Sequence, residues 1–187
     1  MTRPKGKRHP PEAGPNLEGI EKATIRKLIK LAELLEDVLV DIAEDPRTDK
    51  AILRELAYLY VSESPSHSSL MNPNIPRKVL ERKLQVHAGT GGTDEVVREH
   101  IIPNPALPLK TLRKVIEEEP VERLRQLAAG VLAERLTKSP RPTAAELWDA
   151  YKILDQTVPP ESGAWHERVK KALLAHPSFP KGRIRPT

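Results

Sequence analysis

The chain has 187 residues, of which 38% are hydrophobic, 30% are charged and only 3% are aromatic, and its formal net charge is +5. This length suits one domain with tails, and a core poor in aromatic side chains must be built from Leu, Ile, Val and Ala, which favours packed helices over a β-sandwich. The chain contains no cysteine, which excludes disulfides, thiolate zinc sites, iron–sulfur clusters and cysteine nucleophiles.

The positive charge lies at the two ends of the chain. Residues 1–20 carry a net charge of +2 and residues 166–187 carry +5, whereas residues 21–165 carry −2. A basic chain favours nucleic-acid binding, and this distribution confines that interpretation to the tails. No uncharged apolar run approaches the ~18 residues of a membrane helix, and the N-terminal segment lacks the apolar region of a secretory signal. We therefore expect a soluble, cytoplasmic protein without a membrane partner.

The first predicted helix lies near the N-terminus. Residues 1–16 are rich in proline and basic side chains, so we expect them to be disordered. From Ile25 to Ile42 apolar residues recur at steps of three and four. This spacing predicts a long amphipathic helix that starts at about Leu17 and ends before Pro46. Such a helix would cap the apolar end of the domain that follows.

One motif recurs along the rest of the chain. Its copies read DPRTDKAIL at Asp45, NPNIPRKVL at Asn72, NPALPLKTL at Asn104 and SPRPTAAEL at Ser139, and HPSFPKGRI at His176 begins a fifth. The intervals between copies are 27, 32, 35 and 37 residues. Each copy opens with a small polar residue or His followed by Pro, and an aliphatic residue follows eight positions after the opening.

The prolines of the motif predict a corner between two helices. The first proline disfavours helix in the residue before it, and the second, Pro76 or Pro108, suits the start of a new helix. The new helices are expected to begin near residues 48–50, 75–77, 107–109 and 143–144. Thr48 is the expected cap in the first copy, and Thr143 with Glu146 fits a capping box in the fourth. The aliphatic residues, predicted to be equivalent core positions, are Leu53, Leu80, Leu112 and Leu147.

A second helix fits between most corners. Segments 93–102, 120–136 and 164–175 have helical patterns, whereas the first copy offers one helix over 52–63, and the SPSHSSL after it reads as a loop. Each helix pair is too small to bury its apolar face alone, so the pairs must stack. We therefore predict an all-α fold, a short α-solenoid of about four irregular helix pairs. The predicted domain covers residues 17–175, followed by a basic, proline-rich tail over 176–187.

The pattern N-P-x-[IL]-P-x-x-x-L resembles the leucine-rich repeat variant proteins, which are close in architecture to HEAT-like α-solenoids. NPNIPRKVL and NPALPLKTL carry the likeness, and the helix in EEEPVERLRQLAAG is similar to the second helix of that family. The likeness is clearest over residues 72–136. The family's repeats are shorter and more regular, and the cysteine-bound iron–sulfur cluster of some relatives has no ligands here. The resemblance implies a curved interaction surface and no particular chemistry.

No segment carries the pattern of a catalytic or cofactor site. The glycine-rich stretch 87–95 lacks a P-loop lysine and a preceding strand, so we interpret it as an inter-helix loop with Thr93 capping the next helix. Trp148 and Asp149 point about 100° apart on one helix and do not suit a shared pocket like that of HEAT-like DNA glycosylases. Asp149 suits a surface ion pair with Lys152. The six histidines lack metal-ligand spacing. We predict neither a metal nor a cofactor.

Basic residues near the two ends are the candidate binding residues. They suit contacts with the phosphates of a nucleic-acid backbone or serve only solubility, and both interpretations stay open. The acidic cluster over 117–122 suits stabilisation of the helix N-terminus after it, with an acidic edge for a basic partner as the alternative. The basic candidates are Arg3, Lys5, Lys7, Arg8, Lys170, Lys171, Lys181, Arg183 and Arg185.

The leading hypothesis is a non-enzymatic scaffold or adaptor that binds a protein partner. The alternative is a nucleic-acid-binding accessory protein that uses its basic ends, and a helical-repeat enzyme acting on DNA ranks third. The charge of the repeat surface separates the first two hypotheses. A basic groove joining Lys78, Arg82, Lys110 and Lys114 to the C-terminal tail favours nucleic acid, and a mixed or acidic face favours protein. The Arg-, Ala- and Pro-rich composition is typical of a GC-rich bacterial or phage genome.

Overall fold

The computed structural model describes residues 35–58, 63–159 and 163–183. Within these ranges every regular element is a helix, so the all-α prediction is confirmed there. The predicted disordered segment 1–16 and residues 17–34 of the predicted N-terminal helix lie outside the described residues. The described part of that helix, α1, covers residues 35–44 and ends before Pro46 as predicted. The later helices are α2 (Lys50–Ala57), α3 (Glu63–Met71), α4 (Arg77–Val86), α5 (Gly92–Ile101), α6 (Leu109–Glu118), α7 (Glu122–Lys138), α8 (Ala144–Thr157) and α9 (Ala164–Ala175), followed by a 3₁₀ turn at Lys181–Arg183.

The corners lie where the sequence predicts them. Helices α2, α4, α6 and α8 each begin five residues after a motif opens, within the expected ranges. The capping box of α8 is confirmed, because Thr143 Oγ1 accepts the Glu146 N–H at 3.1 Å and the Glu146 carboxylate accepts the Thr143 N–H at 2.8 Å. The four predicted core leucines are each the fourth residue of their helix and are fully buried: Leu53, Leu80, Leu112 and Leu147.

Two predicted caps are wrong. Asp49, not Thr48, caps α2, since its carboxylate accepts a backbone N–H of the first turn at 2.7 Å. The Thr48 hydroxyl instead donates to the Ile42 carbonyl at 2.6 Å and thereby ties α1 to the corner. Helix α5 begins at Gly92, so Thr93 lies inside the helix and is not its N-cap. The residue before α2 that caps it is Asp49, and the N-cap position of α5 is occupied by Gly91.

Helix α3 corrects the prediction of a loop over SPSHSSL. The predicted helix over 52–63 ends instead at Ala57 within α2, and the serine-rich segment forms a helix of its own. Serine has modest helix propensity, and α3 carries no apolar stripe that periodicity could detect. Tertiary packing stabilises it: the Ser66 hydroxyl donates to the Ala57 carbonyl at 3.0 Å, and Ser69 donates to the Ser66 carbonyl at 2.7 Å. These small side chains are buried, so α3 can pack closely against its neighbours.

The helices pack in pairs along the described chain. Helix α2 packs on α3, α4 on α5, α6 on α7, and α8 on α9. The second helices of these pairs also contact one another in sequence order, α3 with α5, α5 with α7, and α7 with α9. One continuous apolar core runs from Leu53 to Phe179 through these contacts.

Asparagine side chains connect successive corners. The Asn72 amide donates to the carbonyls of Ala43 at 2.8 Å and Asp45 at 2.9 Å, in the corner before it. The Asn104 amide donates in the same way to the carbonyls of Leu70 at 2.7 Å and Asn72 at 2.9 Å. In both cases the acceptors are the opening residue of the preceding motif and the residue two positions before it. The two motif copies therefore share one structural register.

The opening side chains also shape their own corners. Asp45, Asn72 and Asn104 each accept, through a side-chain oxygen, the backbone N–H two residues further on, at 2.8, 2.9 and 2.8 Å. His176 accepts the equivalent N–H with Nδ1 at 3.2 Å. At the fourth corner Arg135 of α7 takes over the bridging role and donates to carbonyls of the third corner. At these four corners Asp, Asn or His supplies a side-chain acceptor close to the backbone, which stabilises the turn.

Replacing Asn104 by Asp is expected to lower the free energy of unfolding by about 1–3 kcal/mol. Aspartate keeps the acceptor for the turn but turns a donor into a carboxylate facing two carbonyl oxygens in a buried site. Urea denaturation followed by circular dichroism measures the loss. Asn74→Asp is the matched control: the Asn74 amide also donates to a carbonyl of the preceding corner, that of Pro46, but at an exposed site, so the loss should be far smaller. Equal losses in the two variants would show that burial adds nothing to the effect of the Asn104 bridge.

Candidate partner-binding groove

An open groove lies between α4 and α6, the first helices of the two middle pairs. Its volume is about 750 Å³. We call it the α4–α6 groove, and its lining includes Arg77, Glu81, Leu84, Gln85 and Ala88 on the α4 side, Lys110, Thr111, Lys114, Val115 and Glu118 on α6, and Arg98 and Glu119 at its base.

A buried ion pair forms the base of the groove. Arg98 of α5 is 2% exposed, and its Nη2 donates to Glu119 Oε1 at 3.0 Å. Its Nε lies 2.9 Å from Oε2 of the same carboxylate. Arg98 Nη1 also donates to the carbonyls of His87 and Gly89, while Glu119 accepts the Val121 N–H at 3.0 Å. The pair therefore holds the loop after α4 against the corner before α7.

The walls of the groove carry charges of both signs. On α4, Arg77 pairs with Glu81 at 2.9 Å, and its guanidinium lowers the pKa of the Glu81 carboxyl, which stays ionised at neutral pH. Across the groove, Thr111 Oγ1 donates to the same carboxylate at 3.2 Å. On α6, Lys114 lies 3.5 Å from Glu118, and both side chains are about two-thirds exposed. Each wall of the groove thus carries both cations and a carboxylate-bearing side chain.

The continuous basic groove that would favour nucleic acid does not form between α4 and α6. Lys110 and Lys114 line the α4–α6 groove, but Lys78 and Arg82 are exposed on α4 outside it. The carboxylates of Glu81, which pairs with Arg77, and of Glu118, which pairs with Lys114, also line the groove. The charge of this face is therefore mixed, which is the arrangement that we expected to favour a protein partner.

The predicted phosphate-contacting residues are distributed unevenly. Lys170 makes an ion pair with Asp155 and lies over the Tyr151 ring, 5.5 Å from its centroid, so it is engaged within the domain. Lys171 and Lys181 are exposed. The backbone of Arg183 ends the 3₁₀ turn. The remaining candidates lie outside the described residues: Arg3, Lys5, Lys7, Arg8 and Arg185.

The proposed tail over 176–187 does not begin where packing ends. Phe179 is 4% exposed, and its ring meets Trp148 and Tyr151 edge-on, with centroids 6.1 Å and 5.7 Å apart. A truncation at 176 would remove this core residue, so a test of the basic C-terminus must keep the chain through Arg183. Sequence reasoning missed this contact because proline and basic residues surround a single aromatic.

The other candidate segments make structural contacts. The glycine-rich loop is fixed by Arg98 and by His87, whose Nδ1 lies 2.8 Å from Asp94 Oδ1. Asp149 forms the predicted pair with Lys152 at 3.8 Å and a second one with Arg113. Trp148 is half-buried and stacks on Tyr151 with centroids 5.7 Å apart.

The ion pair of Arg98 with Glu119 was not predicted from the sequence, although Glu119 belongs to the acidic cluster over 117–122. In the sequence this pair is marked by an arginine inside the apolar run VVREHII and by a glutamate of the acidic EEEP, 21 positions further along the chain.

Among the described residues, no group of three or more imidazoles and carboxylates is placed to hold a metal ion. In the same part of the chain, no helix has the length and apolar character needed to cross a membrane. Comparison of the chain with family models, curated proteins and solved structures found no match.

Proposed function

We propose that the chain is a short α-solenoid of four helix pairs, akin in architecture to the leucine-rich repeat variant and HEAT-like proteins. Two observations support this proposal. The second helices contact one another in sequence order, as stacked repeats do. The amides of Asn72 and Asn104 bridge equivalent atoms of successive corners, which repeated units in one register allow.

We propose further that the protein is a non-enzymatic scaffold that binds a protein partner in the α4–α6 groove. The observation that carries this proposal is the mixed charge of the groove, in which Lys110 and Lys114 stand among Glu81 and Glu118. Binding to a polyanion favours a surface of one sign, whereas interfaces between proteins use complementary charges of both signs. The groove also presents aliphatic surface, including Val115, to an occupant.

Site-specific photo-crosslinking in cells that carry the native gene tests this function. A photoreactive amino acid replaces Gln85, an exposed residue of the groove, in the full-length chain. Gln156, an exposed glutamine of α8 outside the groove, is the matched control. We expect discrete adducts from position 85 that protease removes and nuclease leaves intact, and none of them from position 156. Adducts sensitive to nuclease would support the nucleic-acid alternative, and the absence of adducts at position 85 would refute the groove as the binding face.

A further inference from the structure

We propose that the α4–α6 groove binds an extended peptide segment with an ordered pair of charges. An acidic residue of the segment binds at the end formed by Arg77 and Lys110, and a basic residue about four to five positions away binds at Glu118. This inference rests on the proposed function and adds the chemistry of the partner.

Helix α6 carries its charges against its own dipole at both ends, and α4 does so at its N-terminus, whereas Lys83 in the last turn of α4 is favourable to the dipole. Helix α4 begins with Arg77, helix α6 has Lys110 in its first turn, and neither has an acidic residue there. Helix α6 ends in Glu117 and Glu118, with no basic residue in its last turn. Cations at a helix N-terminus and anions at its C-terminus are unfavourable, by about 0.3–1 kcal/mol each. Stability of these helices therefore does not explain the arrangement.

Helices α5 and α7, the second helices of the same two pairs, have acidic residues in the first turn and basic residues in the last turn. Helix α5 has Asp94 and Glu95 in its first turn and basic residues in its last, and α7 begins with Glu122 and ends with Lys138. This favourable order shows that the chain can match charge to dipole elsewhere. Inversion at both ends is found on α6, where side-chain charge and helix dipole add to give one positive and one negative end, and Arg77 adds a second cation at the start of α4.

Charged groups at both ends are available to an occupant. Of the four cations that line the groove, Lys110 is the one without an ion pair among the described residues. Among the described residues Glu118 pairs with Lys114 alone, and both side chains are largely exposed, so a partner's cation can replace Lys114 at little cost. Arg98 and Glu119 are buried and pair with each other, so we assign them to the base of the groove and not to recognition of the peptide's charges.

The length of the groove sets the spacing of the partner's charges. Lys110 and Glu118 are eight residues apart on one helix, a rise of about 12 Å. On the α4 side, Arg77 and Gln85 are also eight residues apart, about 12 Å, and the groove continues past the end of the helix to Ala88. An extended peptide advances about 3.3 Å per residue, so it covers these distances in roughly four to five residues. Val115 lies between the charged ends and suits an aliphatic residue at the centre of the segment.

A random dodecapeptide library displayed on phage is the probe, and the full-length chain is the target. Selected peptides are synthesised, and their affinity is measured by fluorescence anisotropy against Lys110→Glu and Glu118→Lys. Lys78→Glu on α4 and Glu167→Lys on α9 reverse exposed charges outside the groove and are the controls. Thermal melting shows that each variant is folded.

We expect selected peptides to combine an acidic and a basic residue four or five positions apart. Each groove reversal should weaken binding about tenfold, which corresponds to about 1.4 kcal/mol, while the controls should change it less than about twofold. Changing the peptide's acidic residue to Lys should restore binding to Lys110→Glu only, and changing its basic residue to Glu should restore binding to Glu118→Lys only.

Two further outcomes separate this inference from the function on which it rests. Ala88→Trp fills the groove, and Ala51→Trp adds the same side chain to an exposed site on α2. Peptides that lose binding to Ala88→Trp alone but show no charge order overturn the inference and leave the groove as the binding site. Peptides that bind Ala88→Trp unchanged overturn the groove as well. If no peptide is selected, the inference is overturned, and crosslinking at Gln85 decides the function independently.

Discussion

Replacing Arg98 by Met is expected to lower the free energy of unfolding by about 3–5 kcal/mol. The substitution leaves the Glu119 carboxylate, whose side chain is 5% exposed, without its cation. It also leaves the carbonyls of His87 and Gly89 without their shared donor. Replacing Glu119 by Gln should cost a similar amount, because the guanidinium then stays buried without a counter-ion. Urea denaturation of each variant gives the loss directly.

The double variant Arg98→Met with Glu119→Leu should lose clearly less than the sum of the two single losses, because it leaves no buried charge unpaired. Arg123→Met is the matched control. Arg123 pairs with Glu99 at 2.6 Å, but both side chains are about half exposed, so the loss should stay below about 1 kcal/mol. A loss of that size for Arg98→Met would show that water reaches the pair and that it does not hold the base of the groove.

Replacing Leu112 by Ala is expected to cost about 2–5 kcal/mol. Leu112 is fully buried at the fourth position of α6, and the change removes apolar contacts and leaves a cavity that close-packed helices fill only in part. Leu80, at the same position of α4, should show a loss of similar size. Val86→Ala is the control, since Val86 is 67% exposed at the end of α4.

Denaturation curves of these variants also test whether the repeats fold together. The core is continuous from one pair to the next, so a cavity at Leu80 or Leu112 should shift the whole transition and leave it a single step. Losses near 1 kcal/mol would place these leucines in a core that relaxes around them. A second transition in the Leu112 variant alone would show that the pairs on its two sides unfold separately.

Local rules account for the parts of the fold that the sequence predicted correctly. A proline disfavours helix in the residue before it, a side-chain acceptor closes a turn two residues away, and the Thr143 side chain accepts an N–H group of the first turn of α8 while Glu146 accepts that of Thr143. Each of these interactions joins residues within about five positions of one another. The starts of α2, α4, α6 and α8 and the burial of their fourth residues follow from them, so the sequence by itself determined these corners.

Between the corners, periodicity predicted the helices that became α5, α7 and α9, whereas only the tertiary structure decided the following features. Helix α3 forms in a serine-rich segment because Ser66 bonds to α2 and its small neighbours are buried, which no local preference of serine predicts. Phe179 joins the core because Trp148 and Tyr151 are close in space. Arg98 and Glu119 meet across 21 positions, and the α4–α6 groove exists because residues some thirty positions apart face each other. Burial and charge pairing depend on which helices pack together, and helix packing is settled by the whole chain and not by any one segment of it.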